Sequence, residues 1–178
     1  MLTANSNSLS TKAIVNFTDD LENTDKISGD IFSQDLLCLL QSHFGFEYVS
    51  ITMLNNGLFF NSCALFGIDD STKMGILRND YRTFHKYDRL SQYLHEHQGF
   101  LERMGRYTIR AAEATELSSF LQTDYKQFLN RSGFGDIIIM DFQIKNKTYR
   151  INFFKEMEGG DFTEKDVDFL SDVQRLIK

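Results

Sequence analysis

Residues 159–166 read Gly-Gly-Asp-Phe-Thr-Glu-Lys-Asp, and they mark the start of the last helix of the chain. Thr163, followed three residues later by Asp166, has the pattern of a helix capping box, in which two side chains satisfy the first N–H groups of a helix. Glu164 and Asp166 also place negative charge at the positive end of the helix dipole. The sequence therefore predicts a helix over residues 163–178.

This predicted helix carries an apolar stripe at helical spacing. The stripe consists of Val167, Leu170, Val173, Leu176 and Ile177, with Phe169 beside it. No Gly, Asn or Pro closes the helix, and we expect it to act as an output or connector helix that carries the state of the domain to another module. The stripe, together with a helix over residues 31–40, is the predicted surface of a homodimer.

The N-terminal part divides into a loose segment and a clear helix. We predict that residues 1–27 form a partly disordered extension, with one weak amphipathic turn or two at Ile14, Phe17 and Leu21 interrupted by acidic residues. Residues 28–178 are predicted to form one compact domain. Its first helix covers residues 31–43 and ends at Gly45.

Two hairpins are predicted from the change to a period of two. The first pairs residues 46–54 with 58–66 across Asn55-Asn56-Gly57, since Asn-Gly tolerates the positive φ angles of a tight turn. The second pairs residues 136–144 with 148–154.

Between the hairpins, the pattern predicts short aromatic-faced helices over 69–103, a strand at 107–111 and a helix over 115–129 that ends at Ser132-Gly133. Helices on an antiparallel sheet give an α+β sandwich, with a central antiparallel sheet of about five to six strands flanked by helices.

Composition excludes several classes of function. The net charge is −6 and no Lys/Arg cluster exists, so we do not expect this domain to bind nucleic acid directly. No apolar run approaches the length of a membrane span, and the polar N-terminus lacks a secretory pattern. We expect a cytoplasmic protein without contact to a membrane.

The sequence offers few groups for catalysis or metal binding. His95 and His97, with His85 ten residues earlier, do not converge on one helix face, and structural zinc needs four ligands. Cys38 and Cys63 lie in apolar runs, where thiols are usually buried and inert. We therefore predict no catalytic residues, no metal and no cofactor.

Three segments resemble a known family. Residues 125–134 (Tyr-Lys-Gln-Phe-Leu-Asn-Arg-Ser-Gly-Phe), 150–155 (Arg-Ile-Asn-Phe-Phe-Lys) and 159–166 are similar to motifs of GAF-type sensor domains that precede the DNA-binding helix-turn-helix of LuxR-type transcription regulators. The similarity extends over residues 28–178. Arg89 departs from the family pattern, because proline is usual after Asp88. No Trp is present, so the acyl-homoserine-lactone ligand of the broader LuxR group is not carried over.

The resemblance implies a GAF/PAS-like sandwich in a bacterial regulator that binds a small molecule and reaches DNA only through a C-terminal domain outside these residues. In sensor domains of this type the ligand lies between the sheet and the helices over it, and aromatic side chains with polar tips suit such pockets. The predicted pocket residues are Tyr48, Phe60, Tyr81, Arg82, Phe84, Tyr87, Asp88 and Tyr93, with Arg82 and Asp88 orienting the ligand.

Two alternatives remain open. The domain is a ligand-free module for dimerisation or partner docking if side chains fill its core completely. It is a redox enzyme on a GAF fold if Cys38 and Cys63 form a reactive pair.

Overall fold

The computed structural model describes residues 11–28, 32, 34–46, 48–55, 59–66, 108–110, 127, 129–144 and 147–177. In chain order these residues form α1 (Thr11–Ser28), α2 (Gln34–Phe44), β1 (Val49–Asn55), β2 (Phe59–Phe66), β3 (Thr108–Arg110), β4 (Phe134–Ile144), β5 (Lys147–Glu156), a 3₁₀ turn (Met157–Gly159) and α3 (Glu164–Ile177). The predicted α+β class is confirmed. The helices predicted over 69–103 and most of the one over 115–129 lie outside the described residues.

The described strands form one antiparallel sheet in the order β2-β1-β5-β4-β3. Both predicted hairpins are present, and β1 and β5 join them at the centre of the sheet through pairs such as Val49 with Phe153. β3, which was also predicted, pairs with β4. The number of strands in the whole sheet stays a prediction.

One face of this sheet, here called the first face, packs against all three described helices. Its side chains come from alternate positions of β1, β4 and β5, because successive residues of a strand point to opposite faces. They are Val49, Ile51, Ile138, Met140, Phe142, Ile151 and Phe153, and they form a single apolar cluster with residues of α1, α2 and α3. Burial of this cluster is the main stabilising contribution of the described part of the chain.

Helix α1 corrects the predicted N-terminal extension. It is 18 residues long, and Phe17 and Leu21 are buried in the same cluster as the sheet, so the compact unit begins before residue 28. Asp19 and Asp20 do not interrupt the helix, because they lie on its exposed side. Asp20 bonds His43 of α2 at 2.9 Å. The prediction missed this amphipathic helix because residues of its buried face and of its exposed face alternate along the sequence.

Helix α2 ends where the sequence predicted, but one of its side chains is exposed where burial was predicted. Gly45 has φ 72, and its N–H donates to the Gln41 carbonyl at 2.8 Å, which is the geometry of a glycine helix end. The helix begins at Gln34, three residues later than the predicted start. Cys38 was expected to be buried, but it is exposed, because it lies on the face of α2 opposite Leu36 and Leu40.

Candidate functional site

The opposite side of the sheet, here called the second face, has a different character. Alternation along β1, β4 and β5 assigns to it Tyr48, Ser50, Ile137, Ile139, Asp141, Arg150, Asn152 and Phe154. Ile137 and Ile139 are buried yet do not belong to the apolar cluster that contacts the described helices. The second face is therefore buried independently of α1, α2 and α3.

The centre of the second face consists of hydrogen-bonded polar side chains. Arg150 donates from Nε and Nη2 to the two carboxylate oxygens of Asp141, both at 2.8 Å. Two residues further along β5, Asn152 Nδ2 donates to Ser50 Oγ at 2.9 Å. Arg150 is 3% exposed and Asp141 9% exposed. Burying such groups is costly unless they find partners, and the bidentate geometry provides them.

An aromatic group closes one end of the second face. The rings of Tyr48 and Phe134 are 5.4 Å apart and those of Phe134 and Phe154 are 5.0 Å apart. The Tyr48 hydroxyl donates to Glu156 Oε1 at 2.9 Å. The described part of the second face thus combines buried isoleucines, aromatic rings and polar groups of balanced charge.

Of the predicted pocket residues, only Tyr48 has a described side chain, and it lies on the second face. Phe60 is placed on β2 opposite Leu54, but its side chain lies outside the described residues. The remaining pocket residues also fall outside them: Tyr81, Arg82, Phe84, Tyr87, Asp88 and Tyr93.

The polar centre formed by Ser50, Asp141, Arg150 and Asn152 was not predicted from the sequence. A usable signal was present, since Asp141 and Arg150 are opposite charges inside two adjacent apolar strand patterns. In an antiparallel hairpin with the Ile144–Lys147 register, these two residues fall directly opposite each other.

The apolar stripe of α3 packs against the first face of the sheet of the same chain. Leu170, Val173 and Ile177 are buried in the cluster on the first face, and Val167 and Leu176 pack against it. Leu36, Leu37 and Leu40 of α2 belong to the same cluster. Val167 and Leu176 remain half-buried, and the contact of this stripe with a second copy stays a prediction. Dimerisation itself stays a prediction.

The entry to α3 has the predicted capping box. The N–H and Oγ1 of Thr163 donate to Asp166 Oδ2 at 2.7 and 2.8 Å, and the Asp166 N–H returns a bond to Thr163 Oγ1 at 3.3 Å. Just before it, the Phe162 ring is buried and Lys155 Nζ lies 5.1 Å from its centre. The capping box and the buried Phe162 ring together fix the direction in which the chain enters α3.

Within the residues that the structure describes, one hydrogen bond joins α3 to the sheet. Gln174 is 3% exposed, and its Nε2 donates to the backbone oxygen of Asp141 at 3.0 Å. The residue whose carboxylate lies on the second face is therefore the residue whose carbonyl holds α3.

Within the described ranges, no group of three or more His, Cys, Asp or Glu residues could hold a metal ion. Across the same ranges, no helix is long and apolar enough to cross a membrane.

Comparison with known proteins gives matches among solved structures. No protein-family model matches the sequence, and no curated protein matches it. Among solved structures, the chain is similar to the VqsR LBD domain from Pseudomonas aeruginosa, with a TM-score of 0.45 and 10% sequence identity over 93% of this chain and 94% of that chain. At this level the similarity carries no argument about function.

Proposed function

We propose that this chain is the non-enzymatic sensor domain of a LuxR-type transcription regulator. In this proposal a GAF/PAS-like sandwich binds a small organic ligand against the second face of its sheet. The bound state passes through α3 to a DNA-binding helix-turn-helix. The proposal rests on the sequence resemblance and on one structural observation: a charge-balanced polar cluster buried in the second face.

The two faces differ in what they can accommodate. The described part of the first face packs mainly through apolar side chains against α1, α2 and α3, so it offers few polar groups that could orient a ligand. The second face presents hydrogen-bonding groups of Ser50, Arg150 and Asn152 beside buried isoleucines. Polar groups placed sparingly on an apolar floor are what orient a ligand in a pocket.

Stability alone gives little reason for the buried ion pair. Replacing a buried pair by well-packed apolar residues is often neutral or stabilising, by about 1–4 kcal/mol. A buried pair of this kind is therefore not required for folding as such, and we propose Arg150 and Asp141 as recognition groups.

We propose native mass spectrometry of the purified protein after incubation with a bacterial cell extract, under gentle and denaturing conditions. The informative variant combines Arg150→Met with Asp141→Leu, because it removes the polar recognition groups but keeps an apolar filling. The matched control combines Asp172→Ala with Arg175→Ala, which removes an exposed ion pair of 2.8 Å on α3.

We expect an added small-molecule mass on the wild-type protein and on the control, lost on denaturation. We expect none on the second-face variant, with its melting temperature unchanged or raised. If the same mass binds all three proteins, the ligand lies elsewhere. If none of the three proteins carries an added mass, the result would instead favour the ligand-free docking module.

A further inference from the structure

Asp141 is connected to both sides of the sheet. Its carboxylate is held by Arg150 on the second face at 2.8 Å, and its carbonyl oxygen accepts from Gln174 of α3 at 3.0 Å. It lies one residue beyond Met140, whose partner on β3 is Thr108. The backbone carbonyl of Asp141 thus accepts a hydrogen bond from a side chain of α3, that of Gln174.

The bond from Gln174 differs in kind from the other contacts of α3. Leu170, Val173 and Ile177 pack through non-directional apolar contacts, which tolerate a small rotation or slide of the helix. Among the described residues, the Gln174–Asp141 bond is the one hydrogen bond between α3 and the sheet. It therefore adds a directional restraint within α3 itself, beyond the restraints at the entry to the helix.

Gln174 also makes the helix sensitive to Asp141. Its side chain is buried, and within the described part of the chain this is the one hydrogen bond that it makes. A buried amide that loses its partner keeps the full desolvation penalty. If the Asp141 carbonyl turned away, α3 would be driven to shift until Gln174 found another partner or water.

We propose that Asp141 transmits the state of the second face to α3. The bidentate bonds to Arg150 fix the carboxylate in a planar fork and so fix the orientation of the residue. A ligand group that draws Arg150 away would release Asp141, tilt its carbonyl and weaken the bond to Gln174. This inference relies on the proposed function only for the nature of the input, since the coupling is a property of the chain without ligand.

Hydrogen exchange followed by mass spectrometry tests the coupling in the ligand-free protein. Asp141→Asn weakens the fork with Arg150 but keeps the backbone carbonyl. We expect amide exchange in α3 to accelerate by about fivefold or more relative to the amides of α2, a factor that corresponds to about 1 kcal/mol. The comparison with α2 removes any effect of global unfolding.

The deciding comparison uses Gln174→Leu as a second background. There the bond is already absent, and we expect Asp141→Asn to change exchange in α3 by less than twofold, about the limit for additive behaviour. Ser50→Ala is the matched control, because it disturbs the second face without touching Asp141. It should leave exchange in α3 unchanged.

Equal acceleration by Asp141→Asn in both backgrounds would overturn the coupling, and so would no acceleration in either. If Asp141→Asn fails to fold, Arg150→Lys replaces it, since lysine keeps the charge but cannot form the planar fork. A failed ligand search would leave these outcomes unaffected. The proposed function and the coupling are therefore tested separately.

Discussion

Asp136 Oδ2 accepts a hydrogen bond from the backbone N–H of Phe162 at 2.8 Å, which ties the start of β4 to the entry of α3. Its other oxygen accepts from the Ile137 N–H, also at 2.8 Å. Asp136 and Phe162 are both buried. One carboxylate thus satisfies two backbone donors and holds the Phe162 ring in the core.

Substitution of Asp136 tests this connection. In Asp136→Asn one carboxylate oxygen becomes an N–H₂ donor that faces a backbone donor, so we expect a loss of about 1–3 kcal/mol in the free energy of unfolding. Urea denaturation measures it. The control Asp168→Asn makes the same change at an exposed position of α3. Equal effects from the two variants would contradict the role given to Asp136.

Gly160 provides a second test at the same entry. Its backbone has φ 74 and ψ −166, a region that is essentially restricted to glycine, so Gly160→Ala should cost about 1–3 kcal/mol. Gly159→Ala is the control, because its new Cβ would approach only the flexible Lys155 side chain, at 3.3 Å. Thermal unfolding of both variants should give a clearly lower midpoint for Gly160→Ala.

The buried stripe of α3 predicts an effect on folding. Leu170 is fully buried, so Leu170→Ala should destabilise the chain by about 2–5 kcal/mol in urea denaturation. Leu170→Asp should unfold it, with loss of the helical circular dichroism signal. A folded Leu170→Asp monomer, obtained from a wild-type dimer in sedimentation, would instead support the predicted dimer surface. Asp172→Ala, on the exposed side of the same helix, serves as the control.

The exposed thiol of Cys38 is expected to react with an alkylating reagent in the folded protein. Because the side chain lies on the surface of α2, iodoacetamide should alkylate it completely without denaturant, as peptide mass mapping would show. Cys38→Ser should change the free energy of unfolding by less than about 0.5 kcal/mol. Protection of Cys38 until the chain unfolds would contradict this position.

The elements that the sequence predicted well have strong local signals. Both hairpins, the glycine end of α2 and the Thr163–Asp166 box depend on residues that are adjacent or nearly adjacent in the chain. Their positions follow from short-range geometry, and the structure confirms them.

What the sequence did not yield depends on contacts between distant elements. The stripe of α3 could have packed on its own sheet or on a second copy, and only the assembled sheet shows that it packs on Ile138, Met140 and their neighbours. Asp136 and Phe162 are distant in sequence, so no periodic pattern links them. On the second face, the alternation that hides Arg150 and Asp141 among apolar residues reveals their pairing only once the register is known.

The position of β1 between β2 and β5 has a consequence for synthesis. Val49 must pair with Phe153, so the ribosome has to translate about a hundred further residues after Val49 before the centre of the sheet can close. Until then, a nascent β1–β2 hairpin would carry an unpaired inner edge, the feature that promotes mispairing between chains. The nascent chain should therefore depend on chaperone protection for longer than a chain whose neighbouring strands are consecutive in sequence.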